Sequence, residues 1–90
     1  MLLTMKDLLA VAKENKFAVG AFNVADSTFL RAVVEEAERQ KSPAIIAIHP
    51  TELEFLTDEF ITYVKHRAYD SDVPLVIHLD HGGTIQEILR

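Results

Sequence analysis

One stretch near the end of the chain restricts the possible folds most strongly. Residues 73–83 read Val-Pro-Leu-Val-Ile-His-Leu-Asp-His-Gly-Gly. The unbroken apolar run at 75–77 predicts a strand that is buried on both faces, as in parallel sheets. That strand leads directly into three ionisable residues, His78, Asp80 and His81, before two glycines that allow a tight turn. Because buried charges are costly unless a partner or a metal compensates for them, this strand end is predicted to be a site of chemistry.

An earlier segment has the same order of residue types. Residues 41–51 and 72–84 each place a proline at the start of an apolar run, polar groups at its end and then a threonine that can begin a helix. With a further apolar segment earlier in the chain, this order predicts strands near 17–23, 43–48 and 74–80. Their alternation with helical segments is typical of parallel βα units.

The segments between the strands have the apolar spacing of helices. A short first helix is predicted to begin after Thr4 and to end near Asn15. The second helix is predicted to be capped by Asp26 or Ser27. The third is predicted to begin with a capping box at Thr51. The sequence therefore predicts an α/β fold that is preceded by a short helix.

Polar residues gather at the carboxyl ends of the predicted strands, where βα folds build their active sites. Adjacent strand residues point to opposite faces, so Asp80 and His81 can share a site only where the strand gives way to a loop. His81 can then offer a ring nitrogen to a metal, while Asp80 acts as acid or base. His78 has the same alternation as Asp80 and is an interior residue, a supporting partner or a ligand. Asn23 caps the backbone or contacts substrate, and His49 is a loop histidine or a phosphate contact.

Composition narrows the function classes. The chain has 90 residues, a formal net charge of −5 and no cysteine. Any zinc must therefore be held by histidine and carboxylate, and nucleic-acid binding is not expected. No segment has the length of a membrane span or the pattern of a signal peptide, so a cytoplasmic protein that does not bind a membrane is expected.

The number of strands indicates part of a larger domain. A (β/α)₈ barrel takes about 250 residues, and the pattern of a further helix is interrupted at Arg90. We therefore expect residues 1–90 to be the truncated N-terminal part of a single TIM-barrel domain, with about its first three strands.

Three segments resemble one enzyme family. Residues 74–82 closely resemble the His-x-Asp-His segment of class II, zinc-dependent ketose-bisphosphate aldolases, the fructose- and tagatose-bisphosphate aldolase family. Residues 18–23 and 42–46 look like the opening elements of the same family, so the resemblance covers the whole chain. It implies a TIM barrel, here its N-terminal portion, that cleaves a ketose 1,6-bisphosphate reversibly to dihydroxyacetone phosphate and glyceraldehyde 3-phosphate, as in glycolysis.

The resemblance also implies a role for each matching residue. Asp80 matches the catalytic acid/base, His81 matches one ligand of Zn²⁺, and Asn23 matches a substrate-positioning asparagine. His49 departs from the family, in which a small Ser or Thr usually stands beside the sugar phosphate, and this leaves the ketose phosphate open. A homo-oligomer, dimer or tetramer, is implied for the full-length enzyme. Because one histidine cannot make a catalytic zinc site, the 90-residue piece alone is expected to be inactive.

Other interpretations stay open at the level of sequence. The main alternative is a non-catalytic, aldolase-like scaffold or assembly subunit on the same barrel. A different metal-dependent barrel lyase or hydrolase would also place ionisable residues at strand ends. A stand-alone α/β module that dimerises through its open strand edges is the non-enzymatic alternative.

Overall fold

The computed structural model describes residues 1–80, with the side chains of all of these except 51–58. The elements are, in chain order, α1 (Met5–Glu14), β1 (Ala21–Asn23), α2 (Ser27–Gln40), β2 (Ala44–Ile48), α3 (Pro50–Asp70) and β3 (Leu75–Leu79). The three strands form one sheet in the order β1-β2-β3, and both pairings are parallel. The predicted βα units and the short preceding helix are therefore confirmed.

Two of the helix starts follow their predicted caps. The backbone N–H of Asp7 donates to the Thr4 hydroxyl at 3.2 Å, and that of Phe29 donates to the Asp26 carboxylate at 3.0 Å. Asp26, and not Ser27, is therefore the cap of α2. The predicted cap at Thr51 is wrong, because α3 already begins at Pro50. Proline suits the first helical position, where no N–H donor is needed.

The first strand is shorter than predicted and does not include residues 17–20. Lys16 has a left-handed backbone with φ of 57°, and the Phe17 N–H still donates to the Ala12 carbonyl at 3.0 Å. This hydrogen bond belongs to the helix end, so Phe17 is not available to pair with β2. The ladder begins only at Gly20, whose carbonyl accepts from the Ile45 N–H at 2.9 Å.

The strand register divides the sheet into two faces. The face that we call the α1 face carries the alternating residues Ala21, Asn23, Ile45, Ala47, Val76 and His78. The opposite face carries Ile46, Ile48 and Leu75, which are fully or almost fully buried with residues of α2 and α3 such as Leu30 and Val64. The two helices thus cover one side of the sheet, as βα crossovers do.

Helix α1 covers only half of the α1 face. Leu8 is 2% exposed and packs with Ile45 and Val76, which lie toward the amino ends of their strands. The half toward the carboxyl ends, which carries Asn23 and His78, is not part of this cluster. The first helix therefore leaves the polar half of this face open to solvent.

The first residues of the chain pair with Leu75, the first residue of β3, at the outer edge of the sheet. The Leu75 N–H donates to the Met1 carbonyl at 2.7 Å, and the Leu3 N–H donates to the Leu75 carbonyl at 2.8 Å. The terminal ammonium group also donates to the carbonyls of Ala68, Ser71 and Val73. These contacts satisfy the outward-facing backbone groups of Leu75, which an edge strand would otherwise leave unpaired.

Candidate active site

Asp80 lies at the first position after β3. Its backbone N–H donates to the Ile48 carbonyl at 2.8 Å, so the ladder between β2 and β3 continues for one residue beyond the strand. This bond fixes the backbone from which the carboxylate projects. The side chain is 34% exposed, which leaves the carboxylate accessible to a small molecule.

His78 is the nearest described ionisable neighbour along the strand. It lies two residues before Asp80, so alternation places both side chains on the α1 face. The His78 Nε2 is 4.0 Å from the Asp80 Oδ1, and the imidazole is 45% exposed. This separation is within the range of an ion pair and longer than a hydrogen bond. The imidazole and the carboxylate therefore lie next to each other at the open end of the sheet.

Asn23 belongs to the same half of the α1 face. It is in register with Ala47, which is in register with His78. Neighbouring strands lie about 4.8 Å apart, so the backbones of Asn23 and His78 are separated by roughly 10 Å. Ala47 is 4% exposed and places only a methyl group between them. The result is a shallow floor with an amide on one side and an imidazole on the other.

Sequence reasoning identified the polar residues but missed Ala47 as the floor of the site. The signal is the strand register, because alanine is informative here only when its neighbours on both sides are known. His49 directly follows β2 at the same edge of the sheet and is exposed. The structure therefore brings Asn23, His78 and Asp80 to one face, with His49 at the adjoining strand end.

A family model described as fructose-bisphosphate aldolase class-II matches residues 3–90. The chain belongs to this family. The match includes β1 with Asn23, β3 with His78, and Asp80 directly after β3, and it confirms the resemblance seen in the sequence.

Individual aldolases agree with this assignment. The chain is 33% identical over 90 residues to a fructose-bisphosphate aldolase of Thermus caldophilus, covering 100% of this chain and 30% of the relative. It is 31% identical over 91 residues to that of Staphylococcus aureus strain Mu50, covering 96% of this chain and 32% of the relative. The crystal structure of the YdjI aldolase of Escherichia coli K12 superimposes with a TM-score of 0.88 at 30% identity, over 99% of this chain and 35% of that one. The chain thus spans about a third of the length of these aldolases.

The predicted zinc ligand, His81, lies outside the described residues. Within residues 1–80, no group of three or more histidine, cysteine, aspartate or glutamate side chains could hold a metal ion. His78 and Asp80 are donor types that zinc accepts, but two such groups do not make a site. The described part of this class-II aldolase segment therefore does not by itself fit a zinc ion. None of its described helices is long and apolar enough to cross a membrane.

Proposed function

We propose that residues 1–90 form the N-terminal part of a class-II aldolase barrel and that the complete protein cleaves a ketose 1,6-bisphosphate reversibly. The products would be dihydroxyacetone phosphate and glyceraldehyde 3-phosphate, which places the reaction in carbohydrate metabolism and glycolysis in the cytoplasm. The observation that carries this proposal is the position of Asp80. It is an accessible carboxylate at the carboxyl edge of a parallel sheet, in a chain whose residues 3–90 match the family.

Each proposed role is the one that the family resemblance implies, and the position on the sheet is compatible with it. Asp80 would accept a proton from the substrate hydroxyl next to the breaking carbon–carbon bond and return it during condensation. Asn23, one strand beyond Ala47, would hold the substrate by hydrogen bonds from its amide. The amide and the carboxylate approach the shallow floor from different strands, so a sugar phosphate laid across that floor could contact both.

Zinc enters this proposal through His81. A zinc ion, when bound, would polarise the ketose carbonyl and stabilise the enediolate that cleavage leaves behind. A catalytic zinc needs about three protein ligands, so His81 would have to be joined by ligands from other parts of the complete protein. The contribution of the described residues is to bind and orient the substrate and to move the proton at Asp80.

An open groove supports the proposal that the domain is larger than these residues. It lies between β1 and α2, has a volume of about 590 Å³ and is lined mainly by apolar side chains, among them Phe22, Val33 and Pro43. Phe22 is 49% exposed. Apolar surface of this kind favours burial, and the barrel of the complete protein would supply the cover. We infer that residues 1–90 alone are inactive and self-associate, and that the complete enzyme is a homo-oligomer.

The division of roles between ligand and proton carrier can be tested in the complete protein. His81→Ala should lose bound zinc, because an imidazole ligand is removed. Asp80→Asn should keep zinc and lose about 10²–10⁴-fold in cleavage rate, the usual size of general acid–base catalysis. Asp72→Asn is the matched control, since Asp72 is an exposed carboxylate before β3, and it should leave both properties unchanged. Zinc is measured by mass spectrometry and cleavage by release of triose phosphate.

Two outcomes would contradict the proposal. Equal zinc content in the wild type and His81→Ala would remove the metal assignment. A folded, zinc-loaded complete protein that cleaves no ketose bisphosphate would favour the non-catalytic scaffold. The inference about residues 1–90 alone is checked by size-exclusion chromatography with light scattering and by the same cleavage assay. A well-behaved monomer, or measurable cleavage, would contradict it.

A further inference from the structure

We propose that His78 is a positioning residue for Asp80. Its Nε2–H would hold the Oδ1 of the Asp80 carboxylate, so that the second oxygen, Oδ2, is directed to the substrate. This inference rests on the proposed function, because it assigns the orientation of the proton carrier in that reaction. It gives a role to an imidazole that the assignment of ligand and acid/base does not use.

The backbones of both residues are fixed by the sheet. His78 is paired in register with Ala47, and the N–H of Asp80 is bonded to the Ile48 carbonyl at 2.8 Å. Only side-chain torsions can then change the 4.0 Å between Nε2 and Oδ1. A small rotation, or one bridging water, is enough to join the two groups. Catalytic hydrogen bonds are often long before substrate is bound and shorten in the complex.

The neighbouring strand leaves the imidazole free to face the carboxylate. The residue of β2 in register with His78 is Ala47, whose methyl group offers neither a hydrogen bond nor a barrier. An imidazole also presents an N–H donor in both its neutral and its charged form. The charged ring always carries a proton on Nε2, and the neutral ring offers one to Oδ1 in the tautomer that is protonated at Nε2.

The exposure of the pair separates a positioning role from a structural one. The two side chains are 45% and 34% exposed, and solvent-exposed ion pairs contribute little to folding stability. Replacing His78 should therefore leave the denaturation midpoint almost unchanged. Misdirecting a catalytic group, in contrast, can reduce the rate by about 10²-fold. A positioning residue thus predicts a large change in kcat without a matching change in stability.

Three substitutions in the complete protein test the position of the donor. His78→Leu removes the donor and should lower kcat by about 10- to 100-fold, with KM changed less than about twofold. His78→Gln places an amide N–H near the position of Nε2 and should restore most of kcat. His78→Asn is the matched control, since its amide N–H reaches only as far as Nδ1, and it should resemble His78→Leu. All three variants should bind as much zinc as the wild type.

Several results would overturn the inference. Full activity of His78→Leu would mean that Asp80 needs no such partner, and equal activity of the Gln and Asn variants would mean that donor position is irrelevant. A raised KM with unchanged kcat would make His78 a substrate contact. Loss of zinc in all three variants would make it a ligand.

A measurement that needs no turnover separates this inference from the proposed function. The ¹⁵N resonances of the His78 ring should report a proton on Nε2 and should change in Asp80→Ala. If the complete protein cleaves no ketose bisphosphate yet shows this change, the proposed function fails and the pairing stands. Ring resonances that are the same in the wild type and in Asp80→Ala would overturn the pairing, whatever the activity.

Discussion

The attachment of α1 to the sheet depends on one leucine. Leu8 is 2% exposed and packs against Ile45 and Val76 on the α1 face, whereas the next residue, Leu9, is 47% exposed. Leu8→Ala and Leu9→Ala are therefore chemically identical changes at adjacent positions of one helix. They differ only in the surface that each side chain covers.

The expected magnitudes follow from this difference. Leu→Ala removes three carbon atoms, and burial of each is worth about 0.8 kcal/mol. With the cavity that is left behind, the free energy of unfolding should fall by about 2–5 kcal/mol for Leu8→Ala. For Leu9→Ala about half of the transfer free energy is lost, and the higher helix propensity of alanine offsets a few tenths of a kcal/mol. The expected loss there is about 1 kcal/mol or less.

Urea denaturation of the complete protein measures both values. The midpoint should fall clearly for Leu8→Ala and slightly for Leu9→Ala, with the slope unchanged because the surface exposed on unfolding is almost the same. Equal shifts for the two variants, or a larger shift for Leu9→Ala, would show that α1 does not lie on the sheet through Leu8. The division of the α1 face into a covered and an open half would then be wrong.

Three further substitutions test local features by the same denaturation measurement. Gly20→Ala should change the free energy of unfolding by less than about 1 kcal/mol. The new methyl group would meet only the end of the Phe22 ring, at 2.7–2.8 Å, and this half-exposed ring can turn aside. A larger loss would show that the ring is fixed. Asp26→Ala should lower the free energy of unfolding by about 1 kcal/mol, because the 3.0 Å bond that caps α2 is lost; no loss would mean that water replaces the cap. The hydrogen bond from Arg39 lowers the pKa of Glu36 from its ordinary 4.5 to about 2, so its stabilising contribution is present above pH 4.5 and is lost as the pH falls through about 2. Glu36→Gln should remove that part of the pH dependence, and unchanged acid sensitivity would contradict it.

The strands were predictable where an unbroken run of apolar residues is enough to form them. The apolar runs of β2 and β3 gave strands within one residue of their observed bounds, 44–48 and 75–79. The start of β1 was predicted four residues too early, because apolar residues 17–20 look like strand whether or not they pair. Their conformation is decided by the left-handed Lys16 and by the hydrogen bond from Phe17 back to α1. Such helix-end geometry is not visible in apolar periodicity.

The surface that α1 covers was not predictable from its sequence. The spacing of Met5, Leu8, Leu9 and Ala12 predicts a helix with one apolar side, but periodicity does not say which surface that side will meet. Leu9 was wrongly included in that side, because it is 47% exposed. The structure places the apolar side on the sheet face opposite to α2 and α3. The cause is tertiary, because those two helices already cover the other face and Ile45 and Val76 need burial.

Alternation and register together explain why the site and the core can occupy one face of a small sheet. Ile45 and Val76 are buried under Leu8, while Ala47 and His78, two residues later on the same strands, lie beyond that cluster. A step of two residues advances about 6.6 Å along a strand and keeps the side chain on the same face. A distance of two residues along each strand therefore separates the apolar contacts with Leu8 from the accessible polar side chains of the site. Two residues after His78 comes Asp80, where the strand has ended and the backbone N–H is still bonded to the Ile48 carbonyl.

A register shift of one residue between β2 and β3 would move His78 and Asp80 to the face that α2 and α3 bury. The hydrophobic pattern that fixes the register is thus also what places the carboxylate in the open half.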